Sequence, residues 1–145
     1  MSDGELPDPR DRTYRWESPS ADWDALKETI RDRLTRSARL GHPIAYSNLV
    51  SGLAFAGPNS HALADMLGEI SSECAEAHEP LLSAVAVYIS GEKRGEPGPG
   101  FYAIAKHLGL LRPDVPEMEA LSYWGSEAER CFDFYGRRRD KPGSR

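Results

Sequence analysis

Apolar residues recur at helical spacing in three long stretches of this chain, and cluster without helical spacing in one short stretch between them. Trp23, Leu26, Ile30, Leu34 and Ala38 repeat every three or four positions, preceded by Ser20 or Asp22 as capping candidates and followed by Gly41 and Pro43. The spacing predicts a first helix whose Lys27, Arg31 and Arg39 lie on the side opposite the core. Pro43-Ile44-Ala45 reads as a short extended piece, and Ser47 is placed to cap a short helix running towards Leu53. Gly57-Pro58-Asn59-Ser60 is a turn signal. A third helix is predicted from about His61 to Ala77, with Leu63, Met66, Leu67, Ile70, Cys74 and Ala77 on its apolar stripe. Asp65, Glu69, Glu73 and Glu76 fall on its outer face.

Pro80 ends that helix, and Leu81 to Ile89 reads as a buried strand at the centre of a small sheet. Val85, Val87 and Ile89 alternate there with Ala84, Ala86 and Tyr88, so both faces are expected to be covered. Ser90 to Gly100 is dense in glycine and proline and predicts a rigid loop that turns the chain and packs Phe101. Phe101 to Leu108 reads as a short helix stopped by Gly109. A last amphipathic helix, about Glu117 to Tyr135, is predicted to bury Leu121, Trp124, Ala128, Cys131, Phe132 and Tyr135.

These elements divide the chain into an irregular arm (1–20), one globular domain (21–136) and a basic tail (137–145). Tyr14 and Trp16 are the exceptions in the polar arm, placed to pin it to the domain surface. A length of 145 residues suits a single core. Leu81 to Ile89, the longest apolar run, is too short to cross a bilayer, so no membrane partner is expected. The acidic start Met1-Ser2-Asp3-Gly4-Glu5 has no apolar signal region, and Cys74 and Cys131 stand alone. Both features lead to a cytoplasmic expectation with free thiols, and bacterial origin is the default. The net charge of −5 disfavours a general nucleic-acid binder, but charge is unevenly distributed. Arg31, Arg33, Arg36 and Arg39 form one basic group, and Arg137, Arg138, Arg139, Lys141 and Arg145 another.

Candidate chemistry is sparse. His42, His61, His78 and His107 share no metal-ligand spacing with one another, and the Cys74/His78 pair falls short of the four ligands of a structural zinc site. Ser83 lacks the glycines of a nucleophile elbow, and Cys131 lies on an apolar stripe. Gly95 to Gly100 resembles a phosphate cradle only in outline, because Pro97 and Pro99 remove backbone donors. No metal, no cofactor and no catalytic set is expected, and an enzyme ranks last among the functions considered.

Two stretches carry a resemblance. Gly41-His42-Pro43-Ile44-Ala45-Tyr46-Ser47-Asn48-Leu49-Val50 resembles the opening of the DNA-binding half of the alkylguanine-DNA alkyltransferases. Tyr46 and Leu49 match that segment, while Ser47 replaces a glycine and Val50 an alanine. The resemblance extends over roughly Leu26 to Gly100 and implies a winged-helix layout. The family's Pro-Cys-His-Arg motif falls near Leu82-Ser83-Ala84-Val85, so alkyl transfer to a cysteine is not implied here. Glu79 to Val87 together with Pro97 to Tyr102 is similar to a widespread family of uncharacterised bacterial proteins, from which no activity transfers.

The resulting expectation is an α+β, winged-helix-like domain with an additional C-terminal helix, acting as a non-catalytic DNA-associated module. Contacts to duplex DNA are expected from Arg31, Arg36, Arg39, Lys93, Arg94, Arg137, Arg138 and Arg139, directed at the backbone and weakly sequence-specific. The competing expectation is a protein-interaction or adaptor module that engages an unidentified partner through its acidic third helix and its strand face.

Overall fold

A computed structural model of the chain describes residues 19–53 and 61–140. The predicted turn at Gly57–Ser60 and most of the predicted arm lie outside those residues. In chain order the elements are α1 (Pro19–Leu40), β1 (Ile44–Ala45), α2 (Tyr46–Leu49), α3 (His61–Glu76), a 3-10 turn (Leu82–Val85), β2 (Ala86–Val87), α4 (Pro99–His107) and α5 (Glu117–Asp140). The molecule is α+β and predominantly helical, with one two-stranded parallel sheet.

Local chemistry explains most of the helix ends. Gly41 adopts φ +81°, and the amides of Gly41 and His42 both reach the carbonyl of Ser37, at 3.0 and 3.2 Å. This left-handed stop is open to glycine without strain. α3 ends the same way with a histidine: His78 has φ +59°, while Glu79 N–H returns to the Cys74 carbonyl at 2.8 Å. His78 is therefore an exposed helix stop and Cys74 a buried core residue, which separates the two in role. Ser47 does not cap α2. That position belongs to Ala45, and no side chain bonds the first turn.

The stretch expected to be a nine-residue strand is a strand only at Ala86–Val87. Leu81 through Val87 is fully buried as predicted, but it runs as a core strut between helices. The 3-10 turn packs against α1, α3 and α5, and β1 pairs with β2. The reason lies in backbone hydrogen bonding, since every buried amide and carbonyl needs a partner. Among the described residues the strand that pairs with this stretch is Ile44–Ala45, in parallel register with Ala86–Val87. The rest of the segment meets its needs by other means. Leu81 N–H donates to Glu127 Oε2 at 2.8 Å, Ala84 N–H to the Leu81 carbonyl at 3.0 Å, and Trp124 Nε1 to the Ala84 carbonyl at 2.8 Å. Ile89 lies beyond this strut and is 61% exposed, contrary to its expected place in a buried strand.

The remaining helices pack around the strut. α1 lies along α5, with Trp23, Ile30, Leu34 and Ala38 buried, and α3 presents Leu63, Met66, Leu67, Ile70 and Cys74. Lys27 and Arg31 are not on the solvent side of α1. They flank its buried stripe and pair with Glu69 and Glu73 of α3. On α5 the core positions are Ala120, Glu127, Ala128, Cys131 and Tyr135, whereas Leu121, Trp124 and Phe132 are half-buried. The helix continues to Asp140, so the expected boundary between domain and basic tail at 136/137 falls inside α5. Among the described residues no helix is long and apolar enough to cross a membrane.

Candidate functional site: an aromatic cavity

The parallel register that pairs Ile44 with Ala86 and Ala45 with Val87 brings the next residues, Tyr46 and Tyr88, side by side. Their rings meet edge-on, with centroids 5.2 Å apart. Beyond Tyr88 the chain closes on itself: Tyr88 N–H donates to the Glu96 carbonyl at 3.0 Å, and Gly95 N–H to the Tyr88 carbonyl at 2.8 Å. Gly95, with φ +86°, permits that reversal. Pro97 and Gly98 are then buried, and Gly98 N–H donates to the Tyr46 hydroxyl at 2.8 Å. A Cβ on Gly98 would lie 2.9 Å from the Tyr88 hydroxyl, so a side chain there would force the ring or the loop to shift. Pro99 opens α4, where its missing amide costs nothing, and Phe101 turns into the core. The predicted loop turns the chain and leads Phe101 into the core.

These groups and the N-terminal half of α3 enclose a cavity of about 330 Å³. Tyr46, Tyr88, Phe101, Leu63, Leu67 and Ile104 supply its apolar walls, and His61 lies at the start of α3 on its lining. Ser83 contributes the hydroxyl of the 3-10 turn, where it is 2.6 Å from the hydroxyl of buried Ser71. Among the described residues its lining holds no carboxylate, lysine or arginine, and the polar groups there are hydroxyls, one imidazole and backbone. Burial pushes the Tyr46 hydroxyl up to about 12, against a smaller opposing effect of the Gly98 amide. It stays a neutral hydrogen-bonding group at physiological pH. Such a lining suits an uncharged planar or apolar ring that offers a few hydrogen-bonding atoms.

The turn Leu82–Val85 carries Ser83 on the wall of this cavity. The two cysteines are elsewhere and are held as thiols. Burial raises Cys131, with Glu127 adding to it, and Cys131 donates to the Leu81 carbonyl at 3.1 Å. Burial likewise raises Cys74, which the Leu82 amide only partly offsets. Among the described residues no group of three or more His, Cys, Asp or Glu is placed to hold a metal ion. The Gly95–Gly100 loop has no amide row facing outward, because Gly98 N–H is engaged by Tyr46 and the amides of Gly95 and Glu96 by loop carbonyls.

The basic residues are dispersed. Lys93 and Arg94 are exposed on the loop closed by Tyr88, with Lys93 3.4 Å from Glu117. Arg31 is ion-paired with Glu73, and Arg36 and Arg39 are exposed near the end of α1. Helical geometry separates Arg36 from Arg31 by about 140° around the axis. Arg33 points back into the fold, its guanidinium donating to the carbonyls of Leu49 and Ser51 at 3.0 and 2.9 Å. Arg137, Arg138 and Arg139 belong to the last turns of α5, and their side chains lie outside the described part. The cavity residues Tyr88, Ser83 and His61 were not singled out as a site in the sequence. The only signal was a tyrosine at the end of each extended segment, Tyr46 and Tyr88.

Comparison of the chain with protein-family models, with curated proteins and with solved structures found no match.

Proposed function

We propose that this domain is a non-catalytic DNA-associated module of winged-helix-like layout, in which the Tyr46/Tyr88/Phe101 cavity receives one base displaced from the stack. The cavity carries this reading. Proteins that accept an extruded base hold it between aromatic or apolar side chains and address its edge with a few hydrogen bonds, and the lining here has that composition. Lys93 and Arg94 project from the loop that Tyr88 closes, in position to meet phosphates beside an inserted base. Arg36, Arg39 and Arg137 to Arg139 would add backbone contacts, whereas Arg31, paired with Glu73, contributes little.

The test is a titration of labelled duplex at low and moderate salt, with 2-aminopurine placed at one position to report unstacking. Binding that weakens with salt, with a fluorescence rise lost in Tyr88→Ala, is the expected result. Absence of retention at low salt overturns the reading.

A protein-partner reading is favoured by a different surface. Met118 is 76% exposed beside a second cavity of about 430 Å³, which Tyr102, Val115 and Leu121 also line. If duplex is not retained, that surface becomes the leading site.

A further inference from the structure

The hydroxyls of Tyr46 and Tyr88 converge on one part of the cavity wall. A Cβ on Gly98 would stand 2.9 Å from the Tyr88 hydroxyl and 3.5 Å from that of Tyr46, so both oxygens border the space that glycine leaves open. Tyr46 accepts the Gly98 N–H at 2.8 Å and keeps its own O–H to donate. Among the described residues nothing accepts that proton, and the Tyr88 hydroxyl has no hydrogen-bond partner. The edge-on packing of the two rings needs no hydroxyl on Tyr88, and phenylalanine there would build the same wall. The fold thus uses the Tyr46 oxygen as an acceptor and leaves two O–H donors over. Tyr88 also borders the second cavity, but Tyr46 and Gly98 line the first and not the second.

We infer that these two tyrosine hydroxyls form a two-donor clamp for a carbonyl oxygen on a neutral ring seated in the cavity. Two converging O–H donors match an acceptor with two lone pairs, which a carbonyl oxygen has. An anion is disfavoured, because among the described residues the lining holds no cation to offset its loss of water. An amino group in the same place fits poorly. It brings donors towards the Tyr46 oxygen, which the Gly98 amide already occupies. Such a ring comes either from a displaced base or from a free molecule. Among pyrimidines the clamp selects thymine, which carries an oxygen where cytosine carries an amino group. The inference rests on the reading that the cavity seats a ring, and not on that ring arriving from DNA.

Thymine and 5-methylcytosine share ring and methyl group and exchange that oxygen for an amino group. Each is titrated as the free base into the isotope-labelled full chain, with the Gly98 amide resonance as reporter. Thymine should bind about tenfold tighter, the discrimination expected of a matched hydrogen-bond pair. Tyr88→Phe keeps the wall and breaks no hydrogen bond of the described fold, and it should abolish the preference by weakening thymine alone. The same two bases are then compared in duplex, each placed opposite a mismatched thymine. A preference among free bases without retention of duplex overturns the DNA reading and leaves the clamp. A preference in duplex alone makes a displaced base the occupant. Duplex retained with no preference in either form overturns the clamp and leaves the DNA reading. The clamp also falls if the preference survives Tyr88→Phe, or if neither base binds in either form.

Discussion

The carboxylate of Glu127 accepts the backbone N–H of Leu81 at 2.8 Å, in the middle of the core. Glu127 is only 3% exposed, and its other oxygen meets Arg130 at 2.6 Å. One turn further along α5, the Cys131 thiol donates to the carbonyl of the same Leu81. Two side chains of α5 thus complete the hydrogen bonding of a residue that no strand reaches. Without Glu127 the Leu81 amide would be buried with no partner, whereas the Leu81 carbonyl would still accept from Ala84 N–H.

Glu127→Leu should therefore destabilise the fold by about 2 kcal/mol, the cost of leaving a buried amide unsatisfied. Glu127→Gln keeps an accepting oxygen and should cost less. Urea unfolding of both variants measures the difference, and equal stability of Glu127→Leu and wild type would show that Leu81 is served otherwise.

The buried hydroxyls of Ser71 and Ser83, 2.6 Å apart, can be dissected by a double-mutant cycle. Ser83→Ala alone should cost about 1 kcal/mol, because it leaves the Ser71 hydroxyl buried without its partner. The double alanine variant should be closer to wild type than the two single losses added together. Strict additivity would mean the hydroxyls do not depend on each other.

Gly98→Ala places a methyl group 2.9 Å from the Tyr88 hydroxyl, and the ring or the loop must move. The expected cost is about 1–2 kcal/mol, as for other overpacked sites. The same variant should weaken any ligand bound between Tyr46 and Tyr88. Thermal unfolding reads the first effect and ligand titration the second.

Alkaline pH should destabilise the protein through Tyr46. Its hydroxyl titrates at 10.0 in the ordinary state and is pushed up to about 12 by burial in the fold. The unfolded chain loses its proton first, so stability is complete below pH 10 and declines as pH rises towards 12. Lys27 acts in the same direction: burial works to lower it, but Glu73 and Glu69 outweigh that and raise it above 10.5. Tyr46→Phe should flatten the alkaline limb of a stability-versus-pH curve measured by urea unfolding. An unchanged limb would refute the assignment.

Both cysteines are buried, and burial raises both thiols. A thiol-specific chromogenic reagent should react slowly with the native protein throughout the ordinary thiol range, and with both groups after denaturation without reductant. Rapid reaction of the native protein at neutral pH would contradict this burial.

The sequence determined the helices because their signals are local. The apolar spacing of Trp23 to Ala38 and of Leu63 to Cys74, together with the left-handed stop at Gly41, acts within a few residues and needs no distant partner. It also determined that Leu81 to Val87 is buried, since an apolar run broken by Ser83 alone has nowhere else to go. What conformation that run takes was decided by its surroundings. A strand needs a neighbouring strand, and among the described residues the one it pairs with is Ile44–Ala45, which ends where Tyr46 turns into a helix. The carboxylate of Glu127, 46 residues away in sequence, takes up one of the amides that a sheet would have paired. The cavity was likewise beyond reach of local reading. Tyr46 and Tyr88 become neighbours only through the parallel register, and Gly98 becomes a crowded position only once both rings are in place. The partners of Lys27 and Arg31 illustrate the same limit: helical periodicity fixes a side chain's angle around its own axis, while tertiary packing decides whether that angle meets water or Glu69 and Glu73.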